Sequence, residues 1–346
     1  MTLAFNLKLQ RTIDTPATPY VARFSPDNEQ LAVGIENGNI LIFRTQSGTL
    51  LSTLDLGLGV PCTAIRWRPD NENFRTKSIL TAGYADGTVC QWHTTSRQAI
   101  YQHNEKDNQI FAIDYTADGT RFATAGKDHV IRVYNERTKE KMIELTRGFL
   151  TDTPGHSNRI FSLRFSPYDP NTIVSGGWDD CLYVWDIESG EVVHGMFGAH
   201  ICGDSIDFLS ADVVVTGSWR TRNQLQAWNL ANESPTNIPI PNEPPAHQLY
   251  CCQVSPSISG AVMIAGSSNK TLQIVDTKGE SIWHHLLDGA AYSLHWTPNR
   301  CVVTCSNNTV LMFTPERTQR RNFAPPSEHV VIGETPPMTP KKWEKL

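Results

Sequence analysis

GHSNRIFSLRFSPYDPNTIVSGGWDDCLYVWDIESGE, the segment from Gly155 to Glu191, contains three short β-strand patterns separated by turn residues. The first strand ends at Phe-Ser-Pro, the second at Ser-Gly-Gly-Trp, and the third follows an acidic turn and ends at Trp-Asp. Short alternating strands bounded by Asp, Gly, Pro and Ser are typical of all-β proteins. The segment therefore predicts one small antiparallel unit.

The same order of strands and turns recurs in seven segments of the chain. They span residues 20–43, 63–92, 111–135, 155–191, 204–229, 250–276 and 292–313. Their third strands end at Phe43, Trp92, Tyr134, Trp185, Trp228, Val275 and Phe313. Spacings of roughly 40 to 50 residues between these ends are typical of the four-stranded blades of a β-propeller.

The fourth segment resembles a WD repeat in detail. It has a Gly-His pair ending at His156, Ser175 in the second strand, Asp179 in the turn, and Trp185 followed by Asp. The resemblance implies a seven-bladed propeller in which these four side chains form a hydrogen-bonded structural network. The other repeats match the family pattern in part. The resemblance also suggests weaker versions of the histidine role at His200 and His247, which precede the fifth and sixth repeats.

The last repeat has only three strands, so another segment must complete the ring. Residues 5–9 alternate in polarity and are predicted to supply the missing strand, since closure removes exposed sheet edges. Deletion of residues 1–12 is therefore expected to destabilise the whole domain. The chain is predicted to divide into a propeller over residues 1–314 and an extended Pro-rich C-terminal tail over residues 315–346.

Composition places the chain in a broad class. Its 346 residues carry a formal net charge of −5, which argues against a protein that mainly grips nucleic acid. No apolar run reaches the roughly 20 residues needed to cross a bilayer. The start lacks the apolar core of a signal peptide. Eight cysteines without a secretion signal favour reduced thiols in a cytoplasmic, intracellular setting.

The sequence lacks the short motifs of common enzymes and cofactor-binding proteins. It contains no P-loop, no dinucleotide-binding glycine fingerprint, no Gly-x-Ser-x-Gly elbow, no His-Glu-x-x-His pair and no Cys-x-x-Cys. We therefore expect a protein that is not an enzyme and has no catalytic residue, no cofactor and no metal site. The cysteines are expected to be structural thiols.

Aromatic and basic side chains recur at the turn between the second and third strands. In the WD-repeat family this turn lies on the face with the channel mouth, and aromatic residues with arginines are frequent interface anchors. We predict a partner-binding patch from the following residues: Trp178, Trp219, Arg220, Arg222, Lys127 and Tyr84. The alternative is that the two tryptophans pack between blades or shield a turn.

A column of aromatic residues begins the first strand in five repeats, at Tyr20, Phe111, Phe161, Tyr250 and Tyr292. Thr63 and Asp204 take that place in the other two repeats. An even spacing to a later apolar residue puts the column on the packed face of each strand, so we expect it in the core between blades. Exposure near the channel mouth is the alternative. The opposite face carries a mixture with no recognisable catalytic constellation: Arg23, Arg66, Asp114, Arg164, Asp207, Gln253 and His295.

The C-terminal tail carries its own candidate motif. Thr335 and Thr339 each precede a proline, and Trp343 follows two lysines. The Thr-Pro pairs resemble proline-directed kinase sites, and a Pro-rich segment with a tryptophan suits recognition by another protein. The alternative is a solvated tail without a regulatory role.

These observations favour a non-enzymatic scaffold that binds other proteins as a subunit of a larger intracellular assembly. Neither a membrane nor nucleic acid is an expected partner, and the propeller is expected to be monomeric within a hetero-complex. Cytoskeletal, ciliary and nuclear assemblies all remain open. One alternative is a phosphopeptide or methyl-lysine reader that uses Trp178 and Trp219 at the channel-mouth face. A less favoured alternative is a propeller enzyme with its site in the central channel.

Overall fold

The computed structural model describes residues 5–72, 74, 76–147, 154–241, 248–267 and 270–316. Within these ranges the chain folds into strands β1 to β28 and contains no helix. The strands form seven four-stranded antiparallel sheets, which are the blades of a propeller. The all-β, seven-bladed fold class predicted from the repeats is confirmed.

Each blade takes four strands that follow one another in the chain, except that blade 7 takes three strands and the N-terminal strand. The N-terminal strand is β1 (Leu7–Asp14). Blade 1 contains β2 (Pro19–Phe24), β3 (Gln30–Ile35), β4 (Ile40–Arg44) and β5 (Leu50–Leu54). Blade 2 contains β6 (Cys62–Trp67), β7 (Ile79–Tyr84), β8 (Thr88–His93) and β9 (Gln98–Asn104). Blade 3 contains β10 (Ile110–Tyr115), β11 (Arg121–Gly126), β12 (Ile131–Asn135) and β13 (Lys141–Leu145).

The remaining strands continue in the same order. Blade 4 contains β14 (Ile160–Phe165), β15 (Thr172–Gly177), β16 (Cys181–Asp186) and β17 (Glu191–Phe197). Blade 5 contains β18 (Ile206–Ser210), β19 (Val213–Gly217), β20 (Leu225–Asn229) and β21 (Ser234–Asn237). Blade 6 contains β22 (Leu249–Val254), β23 (Ala261–Gly266), β24 (Thr271–Asp276) and β25 (Ser281–Leu286). Blade 7 contains β26 (Ala291–Thr297), β27 (Arg300–Cys305), β28 (Thr309–Pro315) and β1.

The ring closes through the N-terminal strand. The innermost strands of neighbouring blades contact one another all the way round, including β26 with β2. Strand β1 pairs antiparallel with β28, from Leu7 opposite Pro315 to Asp14 opposite Thr309. The predicted closing strand is therefore present, but it extends to Asp14 and not only over residues 5–9. At its other end, the Glu316 N–H donates to the Asn6 carbonyl oxygen at 2.9 Å, and the compact unit spans Met1–Glu316.

The hydrophobic core lies between blades. One cluster, for example, joins Ile40 and Ile42 of β4 to Ile65 of β6 and Leu80 of β7. Because strand side chains alternate, the middle strands of a blade bury one face against each neighbouring blade. Strand β7 is accordingly buried along its whole length, whereas the outer strand β9 is largely exposed. The polar and aromatic groups at the inner ends of the blades are thus held on a rigid ring.

A β-bulge interrupts the innermost strand of six blades, immediately after its first paired residue. In the pairing of the first strand with the second, the bulge leaves one residue of each first strand without a partner: Tyr20, Thr63, Phe111, Phe161, Tyr250 and Tyr292. The extra residue of a bulge is unpaired, and its side chain points in a different direction from that of a regular strand residue. This local feature decides what lines the mouth of the channel.

Candidate functional site

The predicted network of blade 4 is a continuous set of buried hydrogen bonds. His156 Nδ1 lies 2.8 Å from Asp179 Oδ2, and its Nε2 lies 2.8 Å from Ser175 Oγ. The Trp185 indole N–H donates to the same Ser175 oxygen at 2.8 Å. Since an ionised carboxylate only accepts, His156 donates from Nδ1 to Asp179, and its Nε2 shares a hydrogen bond with the Ser175 hydroxyl. The structure thus brings together the four residues that the sequence singled out.

Asp179 is ionised within this network. Burial by itself would raise its pKa, but the hydrogen bonds from His156 and from the backbone N–H groups of Ser157 and Cys181 hold that pKa below its usual value. The N–H of Ser157 donates to Asp179 Oδ2 at 2.9 Å. The network therefore links the loop before β14 to the turn between β15 and β16, and it fixes the register of the blade.

Blade 3 contains a related network that the sequence analysis missed. Glu105 lies where blade 4 has its histidine, and it is 5% exposed. The Thr124 hydroxyl donates to Glu105 Oε1 at 2.5 Å and the Tyr134 hydroxyl donates to the same oxygen at 2.9 Å. Asn108 Nδ2 and Arg132 Nη1 donate to Oε2 at 2.9 and 3.0 Å. Burial opposes ionisation, but interactions with His103, Thr124, Arg132 and Asn108 hold the Glu105 pKa below its usual value.

A spacing in the sequence could have revealed this network. Glu105 precedes Thr124 by 19 residues, as His156 precedes Ser175. Tyr134 then follows Thr124 at the interval by which Trp185 follows Ser175. The acid of the turn, Asp128, cannot hydrogen-bond to another carboxylate. Arg132 instead lies between the two acids, at 2.7 Å from Asp128 Oδ2.

The other predicted histidine positions do not follow the blade 4 arrangement. In blade 5 the Trp228 indole N–H donates to Thr216 Oγ1 at 2.8 Å. His200 does not join this pair, because its Nδ1 lies 2.6 Å from Asp180 Oδ1 in the turn of blade 4. The expectation of a weakened blade network at His200 is therefore wrong. His247 lies outside the described residues.

The aromatic column surrounds the mouth of the central channel. One residue from each blade lines the same cavity, at Tyr20, Thr63, Phe111, Phe161, Asp204, Tyr250 and Tyr292. We call these seven residues the mouth ring. Each is partly exposed, so the expectation that the column packs in the core between blades is wrong. The reason is the bulge at six of these positions, which breaks the alternation on which that expectation rested.

The carboxylate of Asp204, a mouth-ring residue, reaches charged side chains that cross the channel beneath the ring. We call these side chains together with Asp204 the channel floor: Arg23, Arg66, Arg164, Asp114 and Asp204. Arg23 Nη2 donates to Asp204 Oδ2, and Arg66 Nη2 reaches the same oxygen at 2.9 Å. Arg164 Nη2 lies 3.3 Å from Asp204 Oδ1, and Arg66 Nε lies 3.2 Å from Asp114 Oδ1. Burial raises the pKa of Asp114 to about 6, whereas Arg66 and Arg23 outweigh the effect of burial on Asp204 and lower its pKa.

The polar residues of the innermost strands also tie each blade to the next. The Phe165 N–H donates to Asp114 Oδ2 at 2.9 Å, and the Trp296 N–H donates to Gln253 Oε1 at 2.7 Å. The Phe24 N–H donates to His295 Nδ1 at 3.0 Å across the closure between blades 7 and 1. The mixture of residue types that shows no pattern in the sequence is therefore a ring of hydrogen bonds between neighbouring blades.

A strip of neighbouring aromatic rings extends from the mouth ring onto the surface of blades 4 and 5. It consists of Phe111, Phe161, Trp178, His200 and Trp219, and we call it the aromatic strip. Phe111 stacks on Phe161 with centroids 4.6 Å apart, and Phe161 lies 5.1 Å from Trp178. The ring centroid of His200 lies 6.4 Å from the ring centroids of Trp178 and Trp219. Trp178 is 39% exposed and Trp219 is 36% exposed.

Polar contacts hold the strip in place. The Trp178 indole N–H donates to Cys202 Sγ at 2.9 Å, and the Arg159 guanidinium lies 5.0 Å from the Trp178 ring centroid. Arg220 Nη2 donates to Gln226 Oε1 at 2.7 Å. Burial raises the pKa of Cys202 to about 11, so this thiol stays protonated at neutral pH.

The structure separates the predicted patch residues into two groups. Trp178, Trp219, Arg220 and Arg222 lie on or beside the strip, and Arg222 is exposed. Lys127 is exposed at the corresponding turn of blade 3. Tyr84 is 0% exposed and packs in the core between blades 1 and 2, so its prediction as a surface residue is wrong. It ends a strand that is buried along its length. The tail motif of Thr335, Thr339 and Trp343 lies outside the described residues.

The described ranges contain neither a cluster of metal-binding side chains nor a membrane-spanning helix. No group of three or more His, Cys, Asp or Glu side chains there has the arrangement of a metal site. The described part of the chain also offers no helix of the length and apolar character needed to cross a membrane. The eight cysteines are free thiols.

Comparison with known proteins gives matches of two kinds. The family model "WD domain, G-beta repeat" matches residues 95–135 and 148–186. The chain is 23% identical over 284 residues to "APC/C activator protein CDC20" of Saccharomyces cerevisiae, covering 77% of this chain and 43% of that protein. It is 20% identical to "Cell division cycle 20.1, cofactor of APC complex" of Arabidopsis thaliana, covering 78% of this chain and 56% of that protein.

A third relative is "Guanine nucleotide-binding protein subunit beta-1" of Drosophila melanogaster, which is 26% identical over 135 residues. That match covers 39% of this chain and 36% of the relative. The chain thus spans about half or less of the length of each of these relatives. The chain therefore contains WD repeats within a seven-bladed β-propeller, and the His156 network lies in one of the two repeats that the family model matches.

Proposed function

We propose that the protein is a non-enzymatic scaffold that binds a partner protein through the aromatic strip. The observation that carries this proposal is the run of neighbouring aromatic rings from the channel mouth to Trp219, with Trp178 39% and Trp219 36% exposed. Partly exposed tryptophans beside arginines are the side chains that contribute most to protein interfaces. Because the strip sits on a closed ring of sheets, a partner would meet a preformed surface.

The names of the relatives support the same class of function. Two of them are named as an activator and a cofactor of a complex, and a third as a subunit. Each name describes a protein that works together with other proteins. We extend that class to this chain, as a subunit of an intracellular assembly, and we leave the identity of the assembly open.

The contacts of the strip weigh against the reader alternatives. A methyl-lysine would need a free ring face, but Arg159 lies over Trp178 and His200 stacks beside it. Of the two arginines in the predicted patch, Arg220 is engaged by Gln226 and by the Asn223 carbonyl oxygen, so a phosphopeptide would meet the exposed Arg222 without its neighbour. A flat aromatic surface for a protein partner fits these contacts better than a cage for a modified residue.

The channel contacts weigh against the enzyme alternative as well. The carboxylates that could act as acid or base are engaged in structural contacts. Asp114 and Asp204 pair with arginines, and Asp207 accepts backbone N–H groups from Phe208 and Val254 at 3.0 and 2.9 Å. General acid–base catalysis needs a group that can reach a substrate, and these oxygens already have partners.

Replacement of both tryptophans tests the proposal. We expect a Trp178→Ala, Trp219→Ala variant to lose at least about tenfold in partner recovery, since each buried anchor contributes about 2 kcal/mol or more. The measurement is quantitative affinity purification from the cells that produce the protein. Tyr168→Ala is the matched control, because Tyr168 is 59% exposed and lies at the opposite end of the blades. Equal recovery from the double variant and the control would contradict the proposal.

The domain division remains a proposal, with residues 1–314 as the propeller and residues 315–346 as a tail that adds a secondary contact. We expect a chain ending at Glu316 to keep its partners, because the aromatic strip is intact. This end point is preferred because β28 continues to Pro315. Parallel purification of both lengths gives the comparison. Loss of all partners, with an unchanged melting temperature, would make the tail the main tether. The roles of Thr335, Thr339 and Trp343 stay predictions.

A further inference from the structure

The mouth ring encloses a cavity of about 300 Å³. This volume is at the lower end of the roughly 300–1,000 Å³ that is typical of ligand pockets. It therefore has room for one or two side chains of a partner and not for a folded element. The cavity opens on the same face as the aromatic strip, since Phe111 and Phe161 belong to both.

The two sides of the cavity differ in chemistry. On one side Phe111 and Phe161 are stacked and present apolar surface. On the other side Tyr292 lies between Tyr20 and Tyr250, at 5.7 and 6.0 Å from their ring centroids. Phenol groups can donate hydrogen bonds, whereas phenylalanine cannot. The walls therefore suit a ligand with an apolar part and a hydrogen-bond-accepting part.

The floor of the cavity carries an excess of positive charge. Three guanidinium groups, those of Arg23, Arg66 and Arg164, face the two carboxylates of Asp114 and Asp204. Arg23 and Arg66 line the cavity directly. Arg23 is 4% exposed, and within the described ranges its Nε has no hydrogen-bond partner. A buried cation with unused hydrogen-bonding capacity favours an anionic ligand.

Neighbouring titratable groups offset this excess only in part at neutral pH. Asp207 lies on the far side of the floor, and burial raises its pKa to about 7. Burial, Arg23 and Arg66 lower the pKa of His295 well below its usual value, so His295 is uncharged. At the rim, burial and the charge of Glu36 raise the pKa of Tyr20, which keeps that hydroxyl protonated and able to donate.

We propose that the cavity binds an acidic side chain of a partner peptide together with an adjacent apolar side chain. The carboxylate lies against Arg23 and Arg66, and the apolar group packs on Phe111 and Phe161. The inference rests on the proposed function, because the peptide belongs to the partner that covers the aromatic strip. A cationic side chain, which aromatic walls alone would attract, meets three guanidinium groups at this floor.

Three probes of matched shape test this selectivity on the full chain: 3-phenylpropionate, 3-phenylpropanamide and 3-phenylpropylamine. Ligand-observed saturation-transfer NMR measures their relative affinities. We expect the carboxylate to bind about fivefold more tightly than the amide and the ammonium to bind least. Added NaCl should weaken the binding of the carboxylate probe and leave the affinity of the amide probe unchanged. An ammonium that binds as well as the carboxylate, or a carboxylate that does not bind, would overturn the proposal.

Two variants with a matched control locate the binding. Phe161→Ala should abolish binding of both the carboxylate and the amide, and Tyr168→Ala on the opposite face should change neither. Asp204→Asn should tighten carboxylate binding about threefold, because it removes a negative charge from the floor. If that variant does not fold, the probe series and its salt dependence decide alone. Weaker carboxylate binding in folded Asp204→Asn would contradict the proposal.

The failure of this inference can be told apart from failure of the proposed function. One outcome is that the Trp178→Ala, Trp219→Ala variant loses the partner while the cavity shows no preference among the probes. That result supports the scaffold function and contradicts the binding of an acidic peptide in the cavity. If that variant retains the partner, the proposed scaffold surface is contradicted. The inference is then contradicted as well, because it rests on that surface.

Discussion

A chain without residues 1–14 is expected to melt at least about 7 °C below the full-length protein. Strand β1 covers the outer edge of β28 over seven residue pairs that begin at Leu7 and Pro315. Its removal exposes that edge and uncovers the core around Leu7 and Ile13, which are 4% and 9% exposed. Two lost apolar side chains and a lost hydrogen-bond ladder cost roughly 5 kcal/mol or more. In a domain this large that loss corresponds to about 7 °C or more.

Thermal unfolding followed by circular dichroism measures the effect, and a chain ending at Glu316 is the control. That control loses more residues but none of the described strands. A synthetic peptide of residues 5–16, added to the deletion variant, should restore part of the lost melting temperature, because β1 contacts the ring mainly through β28. A deletion variant that melts within about two degrees of the parent would show that the ring does not depend on this strand.

Glu105→Ala is expected to lower the free energy of unfolding by about 3–5 kcal/mol, because it leaves buried partners of a charged group without their acceptor. Thr124, Tyr134 and Arg132 all donate to this carboxylate. Glu105→Gln keeps one acceptor oxygen and should cost about 1–2 kcal/mol. Chemical denaturation at pH 7 gives the comparison. Equal stabilities of the alanine and glutamine variants would mean that the hydrogen bonds to Glu105 do not stabilise blade 3.

A swap between blades adds a sharper comparison. Glu105→His introduces the residue type that blade 4 has at the same spacing from its serine. In blade 4 that histidine contacts the serine and the acid of the turn, which correspond to Thr124 and Asp128 in blade 3. We expect it to be less destabilising than Glu105→Ala. Because the pKa of Glu105 is lowered in the folded state, its stabilising contribution is present above the unfolded pKa of about 4.3 and is lost as the pH falls through the folded pKa. The difference between the parent and Glu105→Gln should therefore shrink in acid.

The repeat order, the blade spacing and the blade 4 network could all be predicted from the sequence. These features depend on residues close together in the chain, such as Ser175 and Trp185 on paired strands of one hairpin. Local spacing also carried the signal for Glu105, although it was missed because the residue type differs. Two hydrogen-bonded strands and their turn are specified by alternation and turn chemistry, which are local properties.

The mouth of the channel could not be predicted in the same way. Whether Phe111 points between blades or into the channel depends on one extra residue in the register between β10 and β11. A shift of one residue exchanges the two faces of a strand. The sequence contains no separate mark for that bulge, and it favoured the wrong face for the whole column.

The sequence by itself determined the class of fold, the number of blades and the chemistry available in each of them. The tertiary structure alone decided which side chains meet, because the channel floor joins Arg23, Arg66 and Asp204 from three blades that are far apart in the chain. Closure of the ring brings the inner ends of all seven blades to a common axis. The charged residues show no pattern along the chain. They form the ion pairs of the channel floor because the innermost strands of the seven blades converge there.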